Sequence, residues 1–326
     1  MATDTVFLTG GTGFVGAHIV RALQEAGYRV RALVRGGNVP GAELVPGDMT
    51  ETGKLVRSID GCRYVVHAAA LYSFSPRDRA HIRAVNVTGT EGLMLASYLA
   101  GVERVVLTSS SAAIGHERSG GRPADESCYP APAAARDDYH HSKLQQERAA
   151  FASRVPVVSV LPTAPVGPGD WKPTPTGKMV LDFERGRITA KAPDRGGLNL
   201  VAVEDVARAH VAALTKGRPG ERYVAGGENL SFDDIWQMLS EITGKPMPSW
   251  RAPYALALAA AYVDDVRCRL DPNATPNVPL EGVRMSRDRM YADSSKAIRE
   301  LGHTPTSVRA ALERAVAWYR ENRHSA

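Results

Sequence analysis

A tyrosine and a lysine four residues apart form the clearest chemical pair in this sequence. The segment Tyr139-His140-His141-Ser142-Lys143 has a helical pattern, and positions i and i+4 of a helix share one face. An ammonium at that distance lowers the pKa of the phenol, which is about 10 when unperturbed. Such a phenol can donate a proton to a developing alkoxide or remove one from an alcohol. His140 and His141 point roughly 100° and 200° away from Tyr139, so we expect them in solvent or behind the site.

Four consecutive hydroxyl residues, Thr108-Ser109-Ser110-Ser111, follow a predicted strand over Arg104–Leu107. The carboxyl end of a parallel strand is where such sheets bind their ligands, so one of these hydroxyls could polarise a substrate oxygen beside Tyr139. Hydroxyls at this place also cap turns, and we expect that role for two or three of the four.

A glycine pattern, Gly10-x-x-Gly13-x-x-Gly16, lies between a buried strand at Thr5–Thr9 and a helix that starts near Phe14. The first glycine permits a tight turn, the second lets backbone approach a pyrophosphate, and the third lets helix and strand pack closely. Amide groups at the helix N-terminus then face the phosphates. The pattern predicts an NAD(P) site formed by Thr9, Gly10, Gly13, Phe14, Val15 and Gly16.

The end of the second strand predicts which dinucleotide binds. An acidic residue there would bind the ribose 2′-hydroxyl of NAD, whereas an arginine suits a 2′-phosphate. This strand ends in Val34-Arg35-Gly36 and carries no acid, so we expect NADP rather than NAD. Asp48 and Met49 follow the third strand and are candidate cofactor-binding residues. Asp48 is a candidate for the adenine amino group, or alternatively caps a helix that begins near Thr50.

Strands alternate with helical segments over the first half of the chain, which is typical of βαβ units and a parallel sheet. We predict an α/β fold: a Rossmann-type doubly wound parallel sheet with a smaller, mostly helical C-terminal substrate lobe. The predicted dinucleotide domain comprises residues 1–165 and 198–226. The predicted substrate lobe comprises residues 166–197 and 227–326.

Composition bounds the class of protein. The chain has 326 residues, of which 44% are hydrophobic and 23% charged, as in globular proteins. The net charge is +5 with scattered basic residues and no nucleic-acid motif, so nucleic acid is not an expected partner. Three widely spaced cysteines without a CxxC pattern argue against a metal site and a disulfide framework.

The N-terminus shows no secretory pattern, so the cytoplasm is the expected compartment. The longest apolar run, Pro253–Val263, is too short to span a bilayer. We expect a core helix there, with a helix lying in a membrane interface as the alternative.

Taken together, TGGTGFVG, TSSS and YHHSK resemble the extended short-chain dehydrogenase/reductase family over nearly the whole chain. The resemblance implies a catalytic triad of Ser110, Tyr139 and Lys143, with Lys143 also bonding the nicotinamide ribose. Further cofactor-binding positions that it implies are Ala68, Ala69, Ala70, Asn86, Thr108, Pro162 and Thr163. It also implies a homodimer through the segments Arg79–Ala100 and Asp138–Ser153.

Two subgroups of that family compete. The words VGPGDWKPTPTGKMVLDF and LNLVAVEDVARAH look like the hopanoid-associated sugar epimerase group, whereas LPTAPVGPGD resembles dihydroflavonol and other ketone reductases. Sugar-nucleotide enzymes of the family carry arginine and asparagine where this chain has Leu161 and Ala164, so the diphosphate would lack a bidentate partner. Gly115 replaces the substrate asparagine of dihydroflavonol reductases, which argues against flavonoid specificity.

We therefore expect an NADPH-linked reductase acting on a carbonyl or alcohol. One alternative is a sugar epimerase that retains its cofactor, and another is a non-catalytic NADP sensor. Side chains expected to line the substrate cleft are Tyr72, Phe74, Ser111, Trp171 and Phe183.

Overall fold

A parallel sheet forms the centre of the computed structural model, which describes residues 3–71, 79–115, 121–130, 138–188, 190–191, 196–271, 278 and 280–322. Seven strands of the described chain pair in parallel in the order β3-β2-β1-β4-β5-β6-β9. They are β1 (Thr5–Thr9), β2 (Arg29–Val34), β3 (Glu43–Pro46), β4 (Tyr64–His67), β5 (Arg104–Thr108), β6 (Val157–Pro162) and β9 (Arg222–Ala225).

The strand order reverses beside β1, because β2 lies on one side of it and β4 on the other. The chain therefore leaves β1 and β4 in opposite directions and opens a crevice at their carboxyl ends. Ligands of doubly wound sheets bind in this crevice. The predicted Rossmann-type α/β fold is confirmed by this topology.

Helices cover both faces of the sheet. The central strands β1, β4, β5 and β6 are therefore buried on both sides. Helix α1 (Phe14–Glu25) packs on α7 (Val203–Lys216), and Ile19, Val20 and Leu23 of α1 enter the core. The opposite face is covered by α2 (Thr52–Ile59), α4 (Gly89–Leu99) and α5 (Asp138–Phe151). The short helix α3 (Arg79–Arg83) precedes α4.

A smaller lobe contains its own sheet. Strand β8 (Gly197–Ala202) pairs with β7 (Ala164–Val166), β10 (Glu228–Ser231) and β11 (Arg289–Met290). Residues 198–202, which we assigned to the dinucleotide domain, make their ladder bonds in this second sheet, and the domain boundary stays a prediction. The main sheet instead gains β9 beyond β6. Helices of the lobe are α6 (Pro175–Glu184), α8 (Phe232–Thr243) and α12 (Val308–Glu321), whereas α11 (Ser295–Leu301) packs on α7 and β9.

A helical hairpin completes the described fold, formed by α9 (Tyr254–Leu270) and α10 (Leu280–Met285). The expectation of a core helix at Pro253–Val263 is wrong. Of the residues in α9 only Ala261 and Asp264 are buried, whereas Leu256, Val263, Val266 and Leu270 are exposed. Within the described residues, no helix combines the length and the hydropathy that crossing a bilayer requires.

Candidate active site

The glycine loop after β1 forms a cradle in which side chains have no room. Gly10 has a φ of 79°, and a Cβ there would lie 2.6 Å from the amide nitrogen of Ala69. A Cβ on Gly16 would lie 2.0 Å from the carbonyl oxygen of Gly10. Gly13 precedes α1 without a side-chain cap, and no acidic residue occupies the first turn of that helix. The amide groups and the positive end of the helix dipole can therefore serve an anion such as a diphosphate.

The end of β2 presents one basic side chain to solvent. Arg35 is 70% exposed, and its Nε lies 3.9 Å from Oδ2 of Asp48. Oδ1 of Asp48 accepts bonds from the amide and hydroxyl of Thr50, which lower the pKa of the carboxyl. Asp48 thus stabilises the turn that leads to α2, which begins at Thr52. Met49 is buried beside it.

Lys143 is fully enclosed at the carboxyl end of β5. Its Nζ donates to the carbonyl oxygen of Thr108 at 2.8 Å and to Oε1 of Gln146 at 2.5 Å. Burial lowers the pKa of Lys143 to about 7, against a smaller opposing effect of the Glu147 carboxylate. An ammonium has three donors, so one remains for a ligand once these two bonds are made.

Behind Lys143 lies a chain of hydrogen bonds that leads to β1. Because the ammonium can only donate, the amide oxygen of Gln146 faces it, and the amide nitrogen lies 3.1 Å from Oγ1 of Thr90. Thr90 also contacts Nε2 of His67 at 2.8 Å, and Nδ1 of His67 contacts Oγ1 of Thr9 at 2.8 Å. Burial lowers the pKa of His67 to about 3, so the imidazole is neutral. The network thus connects the glycine-loop strand with Lys143.

Two neighbouring hydrogen bonds indicate that the neutral His67 carries its proton on Nε2. The Thr90 hydroxyl donates to the carbonyl oxygen of Asn86 at 2.8 Å, so its oxygen is left to accept from Nε2–H of His67. The Thr9 oxygen accepts from the amide of Ala69 at 3.2 Å, which leaves the Thr9 hydroxyl to donate to Nδ1 of His67. In this assignment the amide nitrogen of Gln146, which lies 3.2 Å from Nε2 of His67, donates to Thr90 and not to the ring.

Asn86 holds the chain that leaves β4. It lies in a short π-helical segment, Ala84–Thr88, and such segments are frequent at functional sites. Its Oδ1 accepts from the amide of Leu71 at 2.7 Å, and its Nδ2 donates to the Leu71 carbonyl and to Oγ of Ser142, both at 3.0 Å. Asn86 therefore joins the segment after Ala68–Ala70 to helix α5, the helix that carries Lys143.

Ser110 and Ser111 lie directly after β5. Ser110 caps a 3₁₀ turn at Ser111–Ala113, and its Oγ accepts the amide of Ala112 at 3.2 Å. That bond uses only the oxygen, so the Ser110 hydroxyl keeps its proton for a ligand. Both serines are half-buried. Tyr139 lies in the first turn of α5, one turn before Lys143, and its side chain is outside the described part.

The end of β6 approaches the smaller lobe. Pro162 is buried, and the Thr163 hydroxyl donates to Oδ1 of Asn199 on β8 at 2.9 Å. The same oxygen of Asn199 accepts from the amide of Gly227 at 2.8 Å. Asn199 thus joins the two sheets beside the crevice, a role that its position in a strand pattern did not reveal.

The predicted cleft aromatics have different surroundings. Phe183 is 3% exposed and stacks on Trp236 with ring centroids 5.7 Å apart, and its role in lining the cleft stays a prediction. Phe183 packs in the core of the smaller lobe because α6 turns its side chain toward α8. Trp171, by contrast, is 54% exposed and contacts Trp318 edge-on, with ring centroids 4.7 Å apart. Tyr72 and Phe74 lie outside the described residues.

A buried ion pair supports the loops beyond β5, and sequence reasoning did not find it. Nε of Arg222 lies 2.6 Å from Oε1 of Glu147, and both side chains are at most 5% exposed. Arg222 also donates to the carbonyl oxygens of Ala113, Glu126 and Cys128 at 2.7 to 3.0 Å. Glu147 follows Lys143 by one helical turn, and this spacing was the one feature of the sequence that could have indicated the ion pair.

Among the described residues no group of histidine, cysteine and acidic side chains could hold a metal ion.

Comparisons with known proteins show the family to which the chain belongs. Residues 6–226 match the model of the NAD dependent epimerase/dehydratase family. A Synechocystis sp. protein named "Putative dihydroflavonol 4-reductase" is 41% identical, over 98% of this chain and 95% of the relative. Sterol demethylase protein B of Methylococcus capsulatus is 36% identical, over 97% of this chain and 98% of the relative.

Solved structures show the same fold over the full length. The crystal structure of gox2253 has a TM-score of 0.84 and 37% identity, covering 98% of this chain and 99% of the other. MoeE5, solved with UDP-glucose and NAD, has a TM-score of 0.76 and 25% identity over 98% of this chain and 99% of its own. The chain therefore belongs to the NAD-dependent epimerase/dehydratase family.

Proposed function

We propose that this protein is an NADPH-linked reductase that converts a ketone to an alcohol and back. The observation that carries the proposal is the enclosed ammonium of Lys143, bonded to the carbonyl oxygen of Thr108 two residues before the half-buried Ser110. Burying an ammonium costs desolvation free energy, and an apolar side chain would fill the same space with a more stable fold. A buried lysine with a strongly shifted pKa therefore indicates a functional site. NADPH, when bound, supplies the hydride.

The proton is assigned to Tyr139. In α5 Tyr139 precedes Lys143 by one helical turn. A lysine ammonium at this spacing favours the phenolate, which lowers the pKa of the phenol toward the pH at which the enzyme works. The Ser110 hydroxyl steadies the substrate oxygen while the negative charge develops on it. Asn86 and Gln146 hold the surrounding backbone and the ammonium.

The cofactor preference is assigned to Arg35. Its guanidinium is exposed at the end of β2, and the strand carries no acid that would bind a ribose 2′-hydroxyl. A 2′-phosphate can form charge-assisted bonds with it, in competition with the distant contact to Asp48. We therefore propose NADP rather than NAD as the working cofactor.

The proposed substrate is a polycyclic, mainly apolar ketone. Two relatives carry the names of enzymes of dihydroflavonol and sterol metabolism. Leu161 is fully buried and Ala164 is a small apolar residue, so neither can bind a diphosphate where sugar-nucleotide enzymes carry arginine and asparagine. This feature argues against a sugar nucleotide.

A sugar epimerase remains the second candidate, because MoeE5 has been solved with UDP-glucose and NAD on the same fold. The same residues would then oxidise and re-reduce one carbon. Protein that is purified with bound NAD and interconverts UDP-sugars without added cofactor would favour this function. A non-catalytic NADP sensor, the third candidate, would bind the cofactor and turn over no ketone.

The test follows NADPH absorbance with a dihydroflavonol, a 3-ketosteroid and UDP-glucose as substrates. Tyr139→Phe should reduce ketone turnover at least about 100-fold while NADPH binding, followed by nucleotide fluorescence, persists. The matched control is His141→Phe, an exposed residue of the same helix, which should retain turnover. Wild-type rates in Tyr139→Phe would refute the assigned acid.

We also propose that the protein is a homodimer through α4 and α5. Leu95, Tyr98 and Leu99 form one face of α4 and are 53%, 44% and 61% exposed. Their i, i+3 and i+4 spacing gives a continuous apolar strip that two copies can bury against each other.

A further inference from the structure

One arginine of β9 connects three separate segments beside the candidate active site. Nη1 of Arg222 donates to the carbonyl oxygens of Glu126 and Cys128 at 2.9 and 3.0 Å, and Nη2 donates to the carbonyl oxygen of Ala113 at 2.7 Å. Its Nε lies 2.6 Å from Oε1 of Glu147. The guanidinium therefore joins the turn after β5, the segment at residues 126–128 and helix α5.

The turn that Arg222 holds is the one that places Ser110. Ala113 is fully buried, and its amide donates to the carbonyl oxygen of Ser110 at 2.9 Å. The Ser110 side chain caps the 3₁₀ turn Ser111–Ala113. A shift of the Ala113 carbonyl would therefore move Ser110 as well.

Glu147 holds the helix on the other side of this arrangement. It follows Lys143 by one turn of α5, and its carboxylate raises the pKa of Lys143 against the larger effect of burial. Oε2 of Glu147 accepts from the hydroxyl of Ser159 on β6 at 3.0 Å, while Oε1 faces Arg222. One side chain therefore attaches the helix that carries Lys143 to the sheet and to the guanidinium.

A buried ion pair of this kind contributes more to geometry than to stability. The side chains of Arg222 and Glu147 are 5% and 2% exposed, and apolar side chains of similar volume often give an equally stable fold. A guanidinium holds its donors in one rigid plane, so the carbonyl oxygens bonded to it keep fixed separations, whereas a lysine ammonium has no such fork. Fixed separations matter in catalysis, because a misplacement of about 1 Å can reduce a rate about 100-fold.

We propose that Arg222 and Glu147 are positioning residues, which hold Ser110 at a fixed distance from the part of α5 that carries Tyr139 and Lys143. The inference rests on the proposed ketone reduction, in which Ser110 and Tyr139 act on the same substrate oxygen. The glycine loop follows β1, and β4, β5 and β6 lie between β1 and β9. The pair should therefore affect the chemical step and leave NADPH binding unchanged.

Steady-state kinetics and nucleotide titration test the proposal. Arg222→Lys keeps a positive charge beside Glu147 and loses the fork to the carbonyl oxygens, so kcat with a ketone should fall about 30-fold. KM for the ketone and Kd for NADPH should stay within about twofold of the wild type. The double variant Arg222→Met and Glu147→Met removes both charges together, so it should fold as the wild type does and show the same loss of kcat.

Arg104→Lys is the matched control. Nη1 of Arg104 donates to the carbonyl oxygens of Ala213 and Leu214 at 3.3 and 2.7 Å, at the opposite end of β5 from Ser110, and this variant should keep the wild-type kcat. Wild-type kcat in Arg222→Lys would overturn the proposal. A loss of kcat that appears only together with weaker NADPH binding and a lower urea midpoint would also overturn it, because the pair would then serve the stability of the fold.

Hydrogen exchange separates this proposal from the proposed function. In Arg222→Lys the amides of Ala113 and Ile114, which bond the carbonyl oxygens of Ser110 and Ser111, should exchange at least about tenfold faster, while those of α1 keep wild-type rates. A wild type that reduces no ketone would refute the proposed function, and faster exchange would still support the hold on the turn. Unchanged exchange at residues 111–114 would overturn the positioning role whatever the wild-type activity.

Discussion

The ammonium of Lys143 lies 2.5 Å from the side-chain oxygen of Gln146, one helical turn further along α5. Gln146 is itself fully buried and has its amide nitrogen on Thr90. The glutamine can therefore neither swing away nor turn its amide over without leaving a buried donor unsatisfied. This relationship fixes where the ammonium sits before any ligand arrives.

Replacing Gln146 should shift the pH dependence of turnover. Gln146→Leu removes a hydrogen-bond acceptor from the ammonium form of Lys143, so the pKa of Lys143 falls. The limb of the pH–rate profile that reports deprotonation of Lys143 then moves to lower pH. Gln146→Glu places a carboxylate there, so that limb moves to higher pH. We expect kcat to fall about tenfold in Gln146→Leu. Gln145→Leu, the neighbour that contacts His141, is the control and should keep the wild-type profile. Unchanged profiles in both Gln146 variants would contradict the role.

Lys143 should also make the stability of the protein depend on pH. Its pKa is about 7 in the folded chain, against 10.5 for the unperturbed side chain. Between these values the unfolded state binds one more proton, so the free energy of unfolding rises with pH by about 1.4 kcal/mol per unit from this group. Urea unfolding at pH 7 to 10 should show the wild type gaining stability relative to Lys143→Met. Parallel pH curves for the two proteins would contradict the assignment.

Two glycines should respond oppositely to alanine. In Gly16→Ala the new Cβ meets the Gly10 carbonyl at 2.0 Å, so we expect a loss of about 2 kcal/mol and of NADPH binding. Gly53 lies in α2 with no atom within 4 Å of an added Cβ, so Gly53→Ala should stabilise by up to about 1 kcal/mol. Urea unfolding and nucleotide titration measure both effects. Tight NADPH binding by Gly16→Ala would show that the loop is not the diphosphate site.

Arg35→Asp should exchange the cofactor preference. The variant loses the partner of the 2′-phosphate and gains an acceptor for a 2′-hydroxyl, so kcat/KM for NADPH should fall at least about tenfold while that for NADH rises. Arg29→Asp alters the same charge at the opposite end of β2 and should leave the ratio unchanged. An unaltered NADPH to NADH ratio in Arg35→Asp would exclude this residue as the selector.

Leu99→Glu should convert the proposed dimer to a monomer. A carboxylate at Leu99, the most exposed residue of the α4 strip, would be buried without a partner in the contact between two copies. Light scattering after size-exclusion chromatography measures the mass, and Leu44→Glu on the edge strand β3 should leave it unchanged. A wild-type monomer, or a dimeric Leu99→Glu protein, would remove α4 from the interface.

The sequence alone determined the alternation of strands and helices, the glycine loop and the residues at the strand ends. Burial on both faces makes β1 and β6 continuous apolar runs, and Gly10 and Gly16 are required by backbone that approaches backbone. The contact of Gly16 with Gly10 lies within the loop itself, whereas Gly10 is required by Ala69, which approaches it from the end of β4. The pair Tyr139 and Lys143 follows from helical spacing.

Only the tertiary structure decided which strand joined which sheet and which polar groups met. β8 has the same apolar character as a strand of the main sheet, so its pattern could not reveal that it pairs with β7 and β10. His67 and Gln146 are 79 residues apart in the chain and meet only because β4 and α5 pack together. The outward face of α9 was likewise decided by what packs on it, because periodicity states that a helix has an apolar side and not whether a neighbour covers it.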